Sequence, residues 1–222
     1  MDRQRVIVAI SGATGAIYGI RLLEALRRHS GYEVHLVLSK WAEKTIALET
    51  SYTVEEVRSL ADYQHDLNDV GASIASGSFK TAGMVVIPCS MKTLAGIAHG
   101  FAGNLIIRAA DVMIKERKKL ILVARETPLS VIHLENMLAV TRAGACLVPP
   151  MPAFYNHPAT IDDLVHHLVG RVMDQLGIPH NLVRRWGEVG LAPGPAAAGQ
   201  ESHIKHGRIK EEETWPKKTS AV

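Results

Sequence analysis

The stretch that most limits how this chain can fold is residues 6–19, VIVAISGATGAIYG. Five apolar residues, Val6 to Ile10, lead into small ones and then into good helix formers at 20–28. That order predicts a buried strand, a tight turn and a helix whose first turn faces the turn. Ser11, Gly12, Ala13, Thr14 and Gly15 carry little side-chain bulk. Their N–H groups can therefore approach an anion at the positive end of the helix dipole. The turn reads as a phosphate cradle, although a close-packed strand–helix junction that binds nothing fits the same residues. It is not the dinucleotide fingerprint, because the glycines stand at 12, 15 and 19. A second strand at 33–38 runs into Ser39-Lys40, where that fingerprint needs a carboxylate for a ribose hydroxyl. A hydroxyl and a cation there point to another phosphorylated ligand.

The rest of the chain repeats the alternation. Helices are expected at 16–28, 41–50 and 54–61, the last opened by Thr53 and Glu56 as a capping box. Residues 63–80 are polar and rich in Gly and Ser, and read as a long loop. A continuously apolar strand at 84–88 precedes helices at 94–99 and 105–117. A strand at 120–124, a helix at 131–141, a strand at 145–148 and a helix at 161–176 follow. Alternation of this kind implies an α/β, three-layer, Rossmann-like (flavodoxin-like) sandwich around a mainly parallel sheet. Residues 1–189 form the domain, and 190–222 read as a polar C-terminal tail, mobile or arm-like. Ligands of such sheets sit beyond the carboxyl ends of the strands. Four of those ends, at 11–15, 39–40, 89–93 and 125–126, are expected to converge on one rim.

The chain has 222 residues, 47% hydrophobic and 21% charged, with a formal net charge of +3. That suffices for one α/β domain with a full core, and no basic block with interleaved aromatics suggests nucleic acid. Two cysteines, Cys89 and Cys146, without a C-x-x-C imply neither a disulfide framework nor a zinc site and fit a reducing, cytoplasmic setting. No apolar run approaches the ~20 residues of a membrane span. The eleven histidines lack H-E-x-x-H and H-x-H, and His166 and His167 point about 100° apart on a helix, so no metal is expected and surface roles are preferred. Trp41 and Trp186 are read by default as core or interface residues.

Several residues carry possible chemistry. Ser90 and Thr93 open a helix after a buried strand, suiting a phosphate or an ordinary N-cap. Arg125-Glu126 follow a buried strand, where a surface turn more often uses Gly, Asp or Asn. The arginine can grip an anion through two hydrogen bonds and the glutamate can move a proton; a structural ion pair is the alternative. Arg108 and Lys115 lie seven apart and share a helix face, with Asp111 between them. Tyr155 follows a proline-rich loop and Arg171 lies on the last helix.

Taken in order, these segments resemble the UbiX/Pad family of flavin prenyltransferases, within the flavin-containing Cys decarboxylase-like flavoproteins. The resemblance rests on SGATGAIYG at 11–19, SK at 39–40, LET at 48–50, PCSMKTLAGI at 88–97, RAADV at 108–112 and KERKKLILVARETPLS at 115–130. HLENM at 133–137, PPMPAFYNHP at 149–158 and RRWG at 184–187 complete it.

The resemblance implies transfer of a dimethylallyl group from dimethylallyl monophosphate to N5 and C6 of reduced FMN, without a metal. The prenylated FMN then serves a UbiD-type decarboxylase. By position, Gly12, Ala13, Thr14, Ser39, Ser90, Met91, Lys92, Thr93 and Arg125 would hold FMN. Tyr155, Arg171, Arg108, Lys115 and Arg125 would bind the prenyl phosphate. Glu126, Glu49, Lys115 and Thr14 would carry catalysis, Glu126 as the acid/base group and Glu49 near N5. A homododecamer built from trimers is implied, with several subunits lining each site. An alternative is a non-catalytic flavin-binding subunit of a hydroxyaryl acid decarboxylase complex.

Overall fold

The computed structural model describes residues 3–183 together with Arg185 and Trp186. The expectations for 190–222, the domain limit at 189 and part of the RRWG segment lie outside the described residues. Among the described residues six strands form one sheet: β1 (Gln4–Ile10), β2 (Tyr32–Leu38), β3 (Tyr63–His65), β4 (Gly83–Cys89), β5 (Leu120–Ala124) and β6 (Cys146–Leu147). Their order is β3-β2-β1-β4-β5-β6 and every pairing is parallel. Without the three-residue β3, the remaining five strands run in the flavodoxin order.

Seven α-helices among the described residues cover the sheet: α1 (Ala16–Arg27), α2 (Lys40–Glu49), α3 (Val54–Ser59), α4 (Met91–Ala98), α5 (Leu105–Lys115), α6 (Val131–Arg142) and α7 (Ile161–Leu176). Alternation along β1 splits the core. Val6, Val8 and Ile10 pack with α1, α2, α3 and α7, while Ile7 and Ala9 pack with α4 and α5. Parallel strands buried on both faces need apolar residues throughout, and β4 is buried over its whole length.

Three expectations are corrected. The polar stretch 63–80 is not all loop: Tyr63–His65 adds an edge strand to β2, and Ser73–Ala75 forms a 3-10 turn. Three residues without apolar alternation leave no strand signal; pairing to β2 makes the strand. The helix expected at 94–99 begins at Met91, because Ser90 caps it. The histidines are not all superficial, since His35 and His167 are buried. His35 is covered by the 63–80 segment: its ring stacks on Tyr63 at 4.7 Å and meets Phe79 edge-on at 5.0 Å. Its Nδ1 lies 2.9 Å from His65 Nε2, and its Nε2 2.9 Å from Glu33 Oε1.

Candidate active site

The strand order reverses direction between β1 and β4, so their carboxyl ends open a crevice where helices leave to opposite faces. Hydrogen bonds lace the neighbouring strand ends together. Ser39 N–H donates to the Ile10 carbonyl (3.0 Å), Ser11 N–H to that of Pro88 (3.1 Å) and Arg125 N–H to that of Cys89 (3.1 Å). The buried Ser11 hydroxyl donates to Pro88 O (3.0 Å) and accepts from Ser90 N–H (2.7 Å). Sequence reasoning counted Ser11 only as a small residue, whereas it clamps β1 to β4. The four strand ends therefore share one rim.

Three helices begin on that rim, so their positive ends lie there, that of α1 met by the Glu49 carboxylate. Gly15 begins α1 with φ 99°, a left-handed conformation that favours glycine. No side chain of the N-cap residue caps α1; the Glu49 carboxylate accepts from Gly15 N–H at 2.8 Å and Ala16 N–H at 3.4 Å. Gly12 is fixed by space: a Cβ there would lie 2.2 Å from that of Trp41, in the first turn of α2. Ala13 N–H is spent on Ser11 O (2.9 Å), while Gly12 and Thr14 N–H have no protein acceptor among the described residues. Ser39 caps α2 by accepting from Ala42 N–H (3.0 Å). Ser90 caps α4 by accepting from Thr93 N–H (3.3 Å) and donates to the Thr93 hydroxyl (3.1 Å). These cap bonds leave the Met91 and Lys92 N–H groups at the open end of α4. The convergence suits a phosphate: the donors are backbone groups fixed by strands and caps.

Arg125 and Glu126 continue β5 onto the same rim. Arg125 is half-buried and Glu126 exposed, with its carboxylate accepting from Thr127 N–H at 3.0 Å. Burial pushes the Tyr18 phenol up and the Arg125 guanidinium pulls it back, so Arg125 lies close to the first turns of α1. Burial drives the Cys89 thiol up to about 12, which leaves it protonated and non-nucleophilic beneath the rim.

The other expected site residues lie on α5, on α7 and in the loop before α7 rather than on the strand ends. Arg108 lies one turn into α5 and pairs with Asp111 at 2.7 Å. Lys115 ends α5 and pairs with Glu116 at 2.5 Å. The next residues lead into β5, with Lys119 O accepting from Met84 N–H, so Lys115 belongs to the opposite edge of the sheet. Arg171 is ten residues along α7, about 15 Å from its start. That helix ends beside the first residues of β4, where Lys119 Nζ donates to Leu176 O (2.9 Å). Tyr155 folds onto the same flank, its hydroxyl 2.9 Å from His167 Nε2 and its ring edge-on to Trp186 at 5.3 Å. The flank thus holds Tyr155, His167, Arg171 and Trp186. Its histidine was missed, because two adjacent histidines carry no spacing signal. Trp41 and Trp186 are 65% and 76% exposed, so neither is a core residue of the subunit.

Among the described residues no group of three His, Cys, Asp or Glu side chains is arranged to hold a metal, and no helix is long and apolar enough to cross a membrane.

A family model described as Flavoprotein matches residues 1–173. The probable UbiX-like flavin prenyltransferase of Escherichia coli O157:H7 is 60% identical over 182 residues, covering 82% of this chain and 92% of that protein. The chain belongs to the UbiX-like flavin prenyltransferases. Two solved structures of this family agree in fold. The dodecameric FMN-dependent UbiX-like decarboxylase from Escherichia coli O157:H7 matches with a TM-score of 0.81 and 60% identity, over 82% of this chain and 99% of that one. AnUbiX (PadA1), in complex with FMN and dimethylallyl pyrophosphate, matches with a TM-score of 0.81 and 57% identity, over 83% and 97%. As a UbiX-like prenyltransferase, the chain takes FMN as its flavin.

Proposed function

We propose that this prenyltransferase joins the dimethylallyl group of dimethylallyl monophosphate to N5 and C6 of reduced FMN, releases phosphate, and passes prenylated FMN to a UbiD-type aromatic acid decarboxylase. The observation that carries this reading is Arg125-Glu126 at a strand end hydrogen-bonded to the strand that leads into Ser90. An anion grip and a proton carrier thus adjoin a phosphate cradle. The FMN phosphate is held by backbone donors at Gly12, Thr14, Met91 and Lys92, with Ala13, Ser39, Ser90 and Thr93 shaping the turns. Reduced FMN, when bound, supplies an electron-rich ring as acceptor.

The protein's work is on the leaving group. Phosphate departs poorly as a dianion, so cations and a proton at its oxygens lower the barrier. Arg125 supplies charge and Glu126 the proton. Glu49, held on the first turn of α1, is a second carboxylate beside the cradle. Thr14 adds a hydroxyl at the turn itself.

Neighbouring copies complete the site. Tyr155 and Arg171 on the flank, Arg108 on α5 and Lys115 at the far edge reach a prenyl phosphate only across subunit contacts. A homododecamer built from trimers supplies them, as the E. coli relative's dodecamer suggests. The surface of α6 supports assembly: it buries only Asn136 and Val140 and exposes Val131, Ile132, Leu134 and Leu138. An apolar patch of that kind marks a contact surface. The free thiols of Cys89 and Cys146 fit a reducing cytoplasm.

The deciding experiment is anaerobic mass spectrometry of the flavin after incubating the protein with reduced FMN and dimethylallyl monophosphate, with the diphosphate in parallel. The expected product is heavier by one dimethylallyl unit, with stoichiometric phosphate release. An unchanged flavin mass with both donors would sink the reading.

A further inference from the structure

We propose that His167 is the positioning residue that turns the Tyr155 hydroxyl outward, by carrying its proton on Nε2 and donating it to the phenol oxygen. The inference rests on the reading that Tyr155 and Arg171 bind the prenyl phosphate.

The geometry starts with burial. His167 is 7% exposed, on a helix whose remaining inward residues are apolar apart from Gly170. Its Nε2 lies 2.9 Å from the Tyr155 oxygen, and the two rings meet edge-on at 82°, with centroids 5.5 Å apart. Arg171 follows four residues later, one turn along the same face. Its guanidinium is half exposed and bonds Asp174 Oδ2 at 3.1 Å, so an anion can reach it. Burial first, and then the Arg171 charge, hold the imidazole below its usual range, with Asp174 opposing. His167 is therefore neutral at pH 7 and has to choose a tautomer.

That choice decides what Tyr155 can do. A phenol has one proton and two lone pairs. With Nε2 bare, the phenol proton points inward to His167, and only lone pairs face an arriving phosphate. With Nε2 protonated, His167 donates inward, and the phenol proton is free for a phosphoryl oxygen beside Arg171. Only the second arrangement is attractive to an anion. A buried donor fixed on a helix also costs the tyrosine no further ordering when the anion arrives. Trp186, also edge-on to the ring, leaves the phenol little freedom to swing away.

Two measurements test this. The first compares steady-state constants for dimethylallyl monophosphate among wild type, His167→Phe, His167→Gln and Tyr155→Phe. Phe fills the ring volume without a donor, and Gln restores an N–H near the Nε2 position. His167→Phe is expected to raise KM about tenfold with kcat within about twofold, the size of one hydrogen bond to a charged group. His167→Gln is expected to recover most of that loss. In the Tyr155→Phe background, His167→Phe is expected to add less than about twofold, since there is no hydroxyl left to aim. A normal KM in His167→Phe, a loss in His167→Gln equal to that in His167→Phe, or full additivity with Tyr155→Phe would overturn the proposal. The second measurement needs no turnover: solid-state 15N NMR of the histidine-labelled protein, with the His167→Phe spectrum subtracted. A protonated Nε2 with a bare Nδ1 supports the proposal, and a bare Nε2 overturns it. A wild-type protein that prenylates no flavin refutes the function reading, while an active wild type with a bare Nε2 refutes only the role of His167.

Discussion

On the proposed function, the rim and the α7 flank hold anions by different means. At the rim, the donors are backbone N–H groups in the turn before α1 and at the start of α4, and side chains such as Ser39 and Ser90 serve mainly to cap. On the flank, donors are side chains: the Tyr155 hydroxyl, whose ring packs against His167 and Trp186, and the Arg171 guanidinium, which bonds Asp174. A backbone cradle is rigid and reads only charge and shape. A side-chain clamp can arrive on another subunit and close over a ligand already seated. The contrast teaches that, on the proposed function, half of the site is built by secondary structure and the other half by assembly.

The sharpest way to break that division is complementation between copies. Glu126→Gln removes the proton carrier of the rim, and a loss of about 10²–10⁴-fold in turnover is expected. Arg171→Ala removes the anion grip of the flank and is expected to be nearly inactive at low prenyl phosphate. Co-expressed in equal amounts, the two variants are expected to recover activity, with about one site in four intact if rim and flank come from different copies. No recovery in the purified mixed assembly would mean that one copy supplies both halves.

Assembly itself is the next lever. Leu134→Asp with Leu138→Asp puts two charges on the exposed apolar face of α6. Sedimentation is expected to show smaller species that still bind FMN but lose most turnover. Full activity in a dissociated protein would contradict a site shared between copies.

Smaller effects sharpen the rim. Ser90→Ala deletes the cap of α4, a loss of about 1 kcal/mol, or about 2–4 °C in Tm for a domain of this size. FMN affinity is expected to fall as well, because the cap fixes the open N–H groups, and a titration of flavin fluorescence measures it.

The smallest effect is a pH dependence. His65 and His167 are both held below the usual imidazole range, chiefly by burial, with His35 acting on His65 and Arg171 on His167. The unfolded chain takes up these protons near pH 6.5, and the folded chain only at lower pH. Their contribution is therefore complete above about pH 6.5 and is lost as pH falls toward the folded values. Tm is expected to drop between pH 7 and 5.5, and the drop to be shallower in His65→Phe. An identical slope in the variant would count against this account.

Much of the rim was legible in the amino-acid sequence. Small residues after an apolar strand, and Ser39 and Ser90 before helix formers, announce helix starts through local rules of backbone and cap. Arg125-Glu126 stood out because charged residues follow a buried strand directly. The flank was not legible in this way. Tyr155 and His167 are twelve apart with a loop between them, and nothing local announces a bond that forms only when the loop folds back on α7. The edge strand Tyr63–His65 failed for a related reason: its pairing partner is β2, about thirty residues earlier.

Local sequence thus determined the alternating elements, the apolar strands and the capped turns of the rim. Those depend on torsion preferences and hydrogen bonds within a few residues. Tertiary structure alone decided that Glu49 rather than a local cap serves α1, that Lys115 lies on the opposite edge, and that His167 reaches Tyr155. Each of these is a contact between segments distant in the chain, and its free energy appears only when the sheet and both helical layers pack together.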